Sequence, residues 1–192
     1  MYESIVVDAR STKLVPKSIK KLRELIKDQL DESGTFWIFC RNSFKNNKMS
    51  FTAFNLSKSF EDYFLKNIIL IKSNKNQKKG LFFSDCFDQI LFFSKSKNFF
   101  LDKDPIREKH IWKDVEWGKR AKNYNPKGKD PGNVWIRTED DGKANITQHI
   151  PLNESESIER IIKCSSRKNA KICLINFNNV KDFGRKISYE SF

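Results

Sequence analysis

Between Lys103 and Lys129 the chain carries nine Lys or Arg residues against four acids, a local charge of +5. Trp112, Trp117 and Tyr124 lie among them. This mixture suits polyphosphate chemistry. Lys109, Lys113, Lys119, Lys122, Lys127 and Lys129 are of the type that neutralises phosphates and releases their counterions. The forked guanidiniums of Arg107 and Arg120 match the acceptor pair on a guanine edge, and the amide of Asn123 or Asn125 matches adenine. The rings of Trp117 and Tyr124 are shaped to wedge or stack against bases. A second reading stands beside this one: the tryptophans pin a long loop to the core, and the lysines are solvated.

Two further basic groups point the same way. Lys72, Lys75, Lys78 and Lys79 precede Leu81 on a polar turn, which reads equally as phosphate contact or as a solvated tip. Arg41, Lys45 and Lys48 follow the apolar run Thr35–Cys40. Functional loops of parallel α/β sheets lie at the strands' carboxyl ends, so these residues are expected on the same rim. The whole chain has 192 residues and a net charge of +13. That balance favours a polyanionic partner, with nucleic acid first, although a lysine-rich composition alone also produces it.

Other chemistries are disfavoured. Cys40, Cys86, Cys164 and Cys173 form no Cys-x-x-Cys pair, and His110 and His149 lie far from them in sequence, so zinc-site spacing is absent. The expectation is no metal, and buried free thiols in a reducing compartment. No apolar run reaches membrane-spanning length, and MYESIVVDAR lacks the basic start and apolar stretch of a signal peptide. The expected location is cytoplasmic, with no membrane contact.

The elements that must position the basic segment are legible in outline. Ser4–Asp8 reads as a buried strand and Pro16–Leu30 as a helix, with Ile19, Leu22, Leu25, Ile26 and Leu30 on one face. Asp31–Gly34 is expected to break it before the strand Thr35–Cys40. Leu56–Leu65 reads as a helix; Asn67–Lys72, Leu81–Phe83 and Phe87–Phe93 read as strands. Periodicity fades from Ser94 to about His149. Order returns with a helix capped at Asn153 or Ser155 and a last strand, Lys171–Phe177. The alternation indicates an α/β domain with a largely parallel sheet.

The run Tyr124–Trp135, YNPKGKDPGNVW, resembles a signature of bacterial DNA methyltransferases that modify exocyclic amino groups of adenine or cytosine. In that family a Gly-Lys-x-Pro-Gly-x-Val-Trp run is followed by a His-Pro-x-Gln-Lys-Pro-Leu element, a helix, and a strand leading into an Asp-Pro-Phe-x-Gly-x-Gly loop. Here Ile146–Leu152, Ser157–Ser166 and Ile172–Val180 follow in the same order and spacing. The N-terminal strands match in pattern, so the resemblance covers nearly the whole chain. It is specific around Tyr124–Trp135 and patterned elsewhere.

The departures carry the functional expectation. The family's catalytic loop is Asp-Pro-Pro-Tyr or a close variant, whose acid or amide and a backbone carbonyl hold the target amino group while the ring stacks on the flipped base. The corresponding residues here are Asp8, Ala9, Arg10 and Ser11. The methyl-donor loop aligns with Asn176, Phe177, Asn178, Asn179, Val180 and Lys181, with no glycine before Gly184. Phe177 matches the family aromatic but reads better as a core residue. The family's next two strands and their helices do not fit in the residues after Phe177.

The resemblance thus implies a truncated Rossmann-like methyltransferase sheet with helices on its faces and a long basic recognition insertion. Residues 1–192 form a single domain, with 97–149 as the recognition and connecting segment. The expected function is a catalytically inactive methyltransferase-like protein, without cofactor, that binds duplex DNA with sequence preference. The alternative is a non-catalytic subunit of a heteromeric DNA methyltransferase or restriction-modification complex. A third is a decayed remnant without selected function. The expected site is Arg107, Lys109, Lys113, Trp117, Lys119, Arg120, Lys122, Asn123, Tyr124, Lys127 and Lys129. The Ile172–Phe177 strand is expected as an exposed edge covered by a second copy or a partner protein, or by Asp182–Phe192 folding back across it.

Overall fold

Alternation between two apolar faces builds the central sheet. On β1 (Tyr2–Asp8), Val6 faces one side, and Ile5 and Val7 the other. On β2 (Leu30–Cys40), Trp37 and Phe39 share the side of Val6, and Phe36 and Ile38 the opposite one. Both faces are covered, so every residue from Gly34 to Cys40 is buried, as an interior strand requires. The computed structural model describes residues 1–10, 15–42, 44–46, 48–72, 87–110, 125–140 and 147–192.

The remaining elements follow in order. β3 (Phe44–Lys45) and β4 (Lys48–Met49) form a small ribbon. β5 (Phe64–Lys72) and β6 (Phe87–Ser94) join the main sheet. β7 (Ile136–Asp140) and β8 (Thr147–Pro151) form a second ribbon, and β9 (Lys171–Ile175) and β10 (Lys186–Glu190) complete the main sheet. Its order is β10-β9-β1-β2-β6-β5. The first four strands are mutually parallel, while β6 runs antiparallel to both β2 and β5. The sheet is therefore mixed.

Helices cover both faces. α1 (Pro16–Gln29) begins on a proline, whose missing N–H is harmless in the first turn, and buries Leu22 and Ile26 one turn apart. It packs with Leu56 of α2 (Thr52–Ser59) against Phe36, Ile38, Leu91 and Phe93. On the other face α3 (Glu154–Ser165) sets Ile158, Ile161 and Ile162 against Val6, Trp37 and Leu174. Asn153 caps α3 reciprocally: its side chain accepts from Glu156 N at 3.0 Å, and the Glu156 carboxylate accepts from Asn153 N at 2.8 Å. No helix among the described residues is long and apolar enough to cross a membrane.

Four sequence expectations need correction. The helix expected at Leu56–Leu65 is α2 at Thr52–Ser59, and β5 already starts at Phe64. Buried Leu56 and Phe60 have helical spacing across that boundary, but Phe60 N turns back to Ser57 O at 3.2 Å and the helix stops. The expected break at Asp31–Gly34 is a bulge within β2, where pairing passes from Tyr2↔Leu30 to Ser4↔Thr35. Asp31 holds it by accepting from Ser33 N and Oγ. The segment read as aperiodic contains the β7–β8 ribbon, with a register from Ile136↔Pro151 to Asp140↔Thr147.

The fourth correction concerns the edge. β9 is not exposed: β10 pairs with it in parallel from Lys186↔Lys171 to Glu190↔Ile175. Of the expected covers, the chain's own C-terminal residues take the place, and the edge of Ile172–Phe177 needs no second protein. β10 escapes a sequence reading because its burial is partial and its stability comes from pairing with a distant strand. The expected strand at Leu81–Phe83 lies outside the described residues, as does Cys86. Cys40, Cys164 and Cys173 are buried free thiols, and burial pushes both Cys40 and Cys164 up to about 12.

Candidate nucleic-acid interface

The carboxyl ends of β1, β2 and β9 meet at one rim. Asp8 ends β1, and Ala9 N is bonded to Phe39 O at 2.8 Å, which fixes the turn that follows. Arg10 then folds back on Asp8. Its Nε donates to Asp8 Oδ1 at 2.9 Å and its Nη2 to Oδ2 at 2.8 Å, the forked geometry that guanidinium and carboxylate share. Nη2 also donates to the Glu154 carboxylate, and Nη1 reaches Asp88 Oδ2 at 3.4 Å. Arg41 completes the group with a fork onto Asp88, at 2.5 and 2.7 Å.

This network is deeply set. The Asp88 side chain is 0% exposed and that of Arg10 is 7%. The Arg10 guanidinium lies 5.1 Å from the Phe39 ring centre. Burial alone would lower its pKa, but the hydrogen bond and charge of Asp8, then those of Glu154, outweigh it and hold the group protonated. Asp8 and Arg10 are legible in the sequence as departures from a motif. Asp88 and Glu154 are not among the expected site residues, although an acid inside the apolar run FDQILFF is a signal for a buried ion pair.

Beside this rim the chain leaves β9 through Asn176, whose φ is 61°, and Asn179, whose φ is 54°. Asn176 Nδ2 donates to Asp8 O at 3.2 Å, and Phe177 is buried with its ring 5.4 Å from Phe39. Tyr189 Oη accepts from Val180 N at 3.0 Å and donates to Val180 O at 3.1 Å, so β10 straps the loop down.

The basic segment is tied at a neck. Glu108 and Lys129 exchange backbone bonds, N to O at 3.0 Å and N to O at 2.8 Å. His110 Nε2 lies 3.2 Å from Asn125 O. Arg107 Nε donates to Asp104 Oδ1 at 2.8 Å, and its Nη1 donates to Gly128 O at 3.3 Å. Lys127 pairs with Asp104, Lys103 pairs with Asp130, and Arg160 of α3 donates to Glu108 at 2.8 Å. Arg107 and then Lys127 hold the Asp104 carboxyl below its usual range; Lys103 and the Gly132 N–H do the same for Asp130. These pairs stand at neutral pH and come apart only as pH falls through those lowered values.

Of the expected site residues, the structure places Arg107, Lys109, Lys127 and Lys129 at this neck. Lys109, Lys127 and Lys129 are exposed, and Arg107 is half-buried. Lys113, Trp117, Lys119, Arg120, Lys122, Asn123 and Tyr124 lie outside the described residues, as do Lys75, Lys78 and Lys79. Asp104, Asp130, Glu108 and Arg160 hold the neck and are not expected as a group from sequence, because their partners are distant along the chain.

Gly128 is required at this point. Its φ is 115°, and an added Cβ would fall 2.5 Å from Glu108 O, the acceptor that closes the neck. Gly128→Ala is expected to introduce roughly 1–3 kcal/mol of local strain. Limited proteolysis between His110 and Asn125 should then run roughly tenfold faster or more, with the global melting temperature little changed. An unchanged cleavage rate would show that the neck does not control the segment.

Beyond the neck the connecting run docks on the sheet. Leu70 N donates to Asn133 O and Trp135 N donates to Leu70 O, both at 2.9 Å, so the Val134 strand covers part of the β5 edge.

The comparisons with known proteins agree with this architecture. The DNA methylase family profile, of the N6/N4 type, matches residues 10–174. PvuII DNA methyltransferase (cytosine-N4-specific) superposes with a TM-score of 0.61 at 14% identity, covering 100% of this chain and 76% of that one. M1.HpyAVI in complex with SAM gives 0.57 at 15% identity, covering 100% and 83%. A DNA modification methylase of Thermus thermophilus, as that structure is named, gives 0.59 at 12% identity, covering 100% and 81%. The mixed α/β sheet and the extent of the profile match together place this chain in the N6/N4 DNA methylase family.

Proposed function

We propose that this chain is a family member that binds duplex DNA, with sequence preference, without methylating it. The observation that carries the reading is the Arg10–Asp8 fork. Both carboxylate oxygens of Asp8 and its backbone carbonyl are engaged by Arg10 and Asn176. Those acceptors stand at the position that, in the resemblance, holds the target amino group. A flipped base would have to displace a guanidinium that three carboxylates hold.

The methyl donor finds no matching cradle either. Glycines would let the backbone approach a donor closely. Here Asn176 and Asn179 adopt the left-handed turns while keeping their side chains, and Phe177 fills the space against Phe39. These residues do not fit S-adenosylmethionine in the manner of a glycine loop, and no reaction step is assigned through it.

The basic segment supplies the DNA contacts in this reading. Lys109, Lys127 and Lys129 meet phosphates at the neck, and Lys113, Lys119, Arg120, Lys122, Asn123, Trp117 and Tyr124 form the reading loop beyond it. Arg107, engaged by Asp104 and Gly128 O, fixes the loop's direction rather than reading a base. A second reading is a non-catalytic recognition subunit of a heteromeric methyltransferase. The outer edge of β10, where Tyr189 is 47% exposed, is where a partner strand would pair.

The test is selection from a randomised duplex pool at moderate salt without cofactor, with a parallel assay for transfer of labelled methyl groups from S-adenosylmethionine to DNA. An enriched short motif with no label incorporated is the expected result. Incorporation of label overturns the inactive reading. Weak binding that salt abolishes, with no motif, overturns the sequence reader.

A further inference from the structure

The stretch from Arg41 to Phe60 has a composition more specific than its three leading basic residues suggest. It holds Arg41, Lys45, Lys48 and Lys58 and no acid at all. It also places three large apolar side chains in solvent: Met49 is 44% exposed, Phe51 64% and Phe54 65%. Neither phenylalanine belongs to a core cluster of the described residues.

Local structure explains why these rings stand out. Phe51 caps the start of α2, and its carbonyl accepts from Asn55 N at 2.9 Å. Phe54 follows one turn on, at the i, i+3 spacing that puts both on one side of a helix. Leu56 is buried on the opposite side, with Ala53 packed against the same core, so the helix cannot roll to hide the rings. Lys58 is exposed one turn beyond Phe54, and Lys48 is exposed on the ribbon just before Phe51. The result is a rigid apolar knob flanked by lysines, directly after β2, at the end of the sheet that carries Asp8 and Arg10.

The chemistry selects the occupant. Apolar protein interfaces have cores depleted in charge, with both signs of charge on their rims. An apolar knob whose neighbouring charges are all cationic matches a base stack flanked by phosphates. Proteins that kink duplexes insert Phe or Met wedges between base steps in this way. We infer that the β3–β4 ribbon and the first turn of α2 form a second DNA contact, in which Phe51 and Phe54 wedge into a duplex base step while Lys48 and Lys58 meet the flanking phosphates. This rests on the DNA-binding reading and adds a site to it.

The experiment uses the full chain and duplexes carrying 2-aminopurine at successive steps of a bound sequence. Wild type should raise the fluorescence severalfold at one step. Phe51→Ala/Phe54→Ala should keep DNA binding within about tenfold and abolish that rise. Lys48→Glu/Lys58→Glu should weaken binding by more than tenfold at low salt. All these side chains are exposed, so circular dichroism should show unchanged folding, and single Phe51→Ser and Phe54→Ser variants serve if the pair misfolds. An unchanged rise in the double phenylalanine variant overturns the wedge while leaving DNA binding intact. So does a rise with single-stranded DNA alone. Sedimentation showing a wild-type dimer that the phenylalanine variants lose also overturns it, since the knob then joins two copies. No DNA binding by wild type at all is a different failure and removes the DNA-binding reading itself.

Discussion

Asp88→Ala is expected to be among the most damaging single substitutions in this protein. Asp88 is fully buried on β6 and takes the whole guanidinium fork of Arg41 and one arm of Arg10. Removing one partner of a buried ion pair leaves an uncompensated charge, which costs about 3–5 kcal/mol. The Arg41 side chain is 18% exposed and can recover some hydration, which places the expected loss near the lower end, about 3 kcal/mol. For a chain of this size that corresponds to a fall in Tm of roughly 6–12 °C. Urea unfolding of wild type, Asp88→Ala, Arg41→Ala and the double variant checks it. The double variant should lose much less than the sum, because each single change already abolishes the same contact. Strict additivity would show that the two residues do not act as a pair.

Trp135→Ala should cost about as much by a different route, roughly 3–5 kcal/mol for loss of a buried tryptophan. Trp135 is 3% exposed, its indole N–H donates to Gly132 O at 3.2 Å, and the Arg160 guanidinium lies 5.7 Å from its ring. It also lines a cavity of about 290 Å³ with Trp37, Ile69, Phe92, Leu101 and Ile106. Deleting the ring enlarges a space that already exists, so neighbours cannot collapse to fill it. Trp135→Phe should recover most of the stability by refilling the apolar volume, losing only the bond to Gly132. If Trp135→Ala proves within about 1 kcal/mol of wild type by the same unfolding measurement, the run from Gly128 to Trp135 is not anchored as described.

These two residues mark the limit of what sequence reasoning reaches. The run GKDPGNVW is recognisable by residue type and spacing, and so is its neighbourhood to a basic segment. What Trp135 does there is not legible. It is an anchor that pins the connecting run to β5, which requires knowing that Leu70 and Trp135, far apart in the chain, exchange a backbone bond. The expected alternative role for tryptophans, pinning a loop to the core, is what this one performs; Trp112 and Trp117 lie outside the described residues.

Strands and helices with complete local signals are legible from the residues alone. The continuous apolar run of TFWIFC, the Pro16 start of α1 and the Asn153 capping box each depend on neighbours within a few positions. So does the loss of the Pro-Pro-Tyr and glycine elements, since an absent residue needs no structure to be noticed.

Tertiary structure decided the rest, because pairing between distant segments leaves little local trace. β10 is half-exposed and short, and only the register with β9 makes it a strand. Arg107 and Lys127 look like free cations in a basic run, yet both are paired with Asp104 once Glu108 and Lys129 close the neck. Arg10 looks like a mere substitution, and only the convergence of β1, β6 and α3 sets it among Asp8, Asp88 and Glu154. Sequence by itself determined which residues are apolar, which are charged and which motif elements are missing. The fold determined which charges neutralise one another and which remain exposed, because electrostatic pairing acts over a few ångströms of space and is indifferent to separation along the chain.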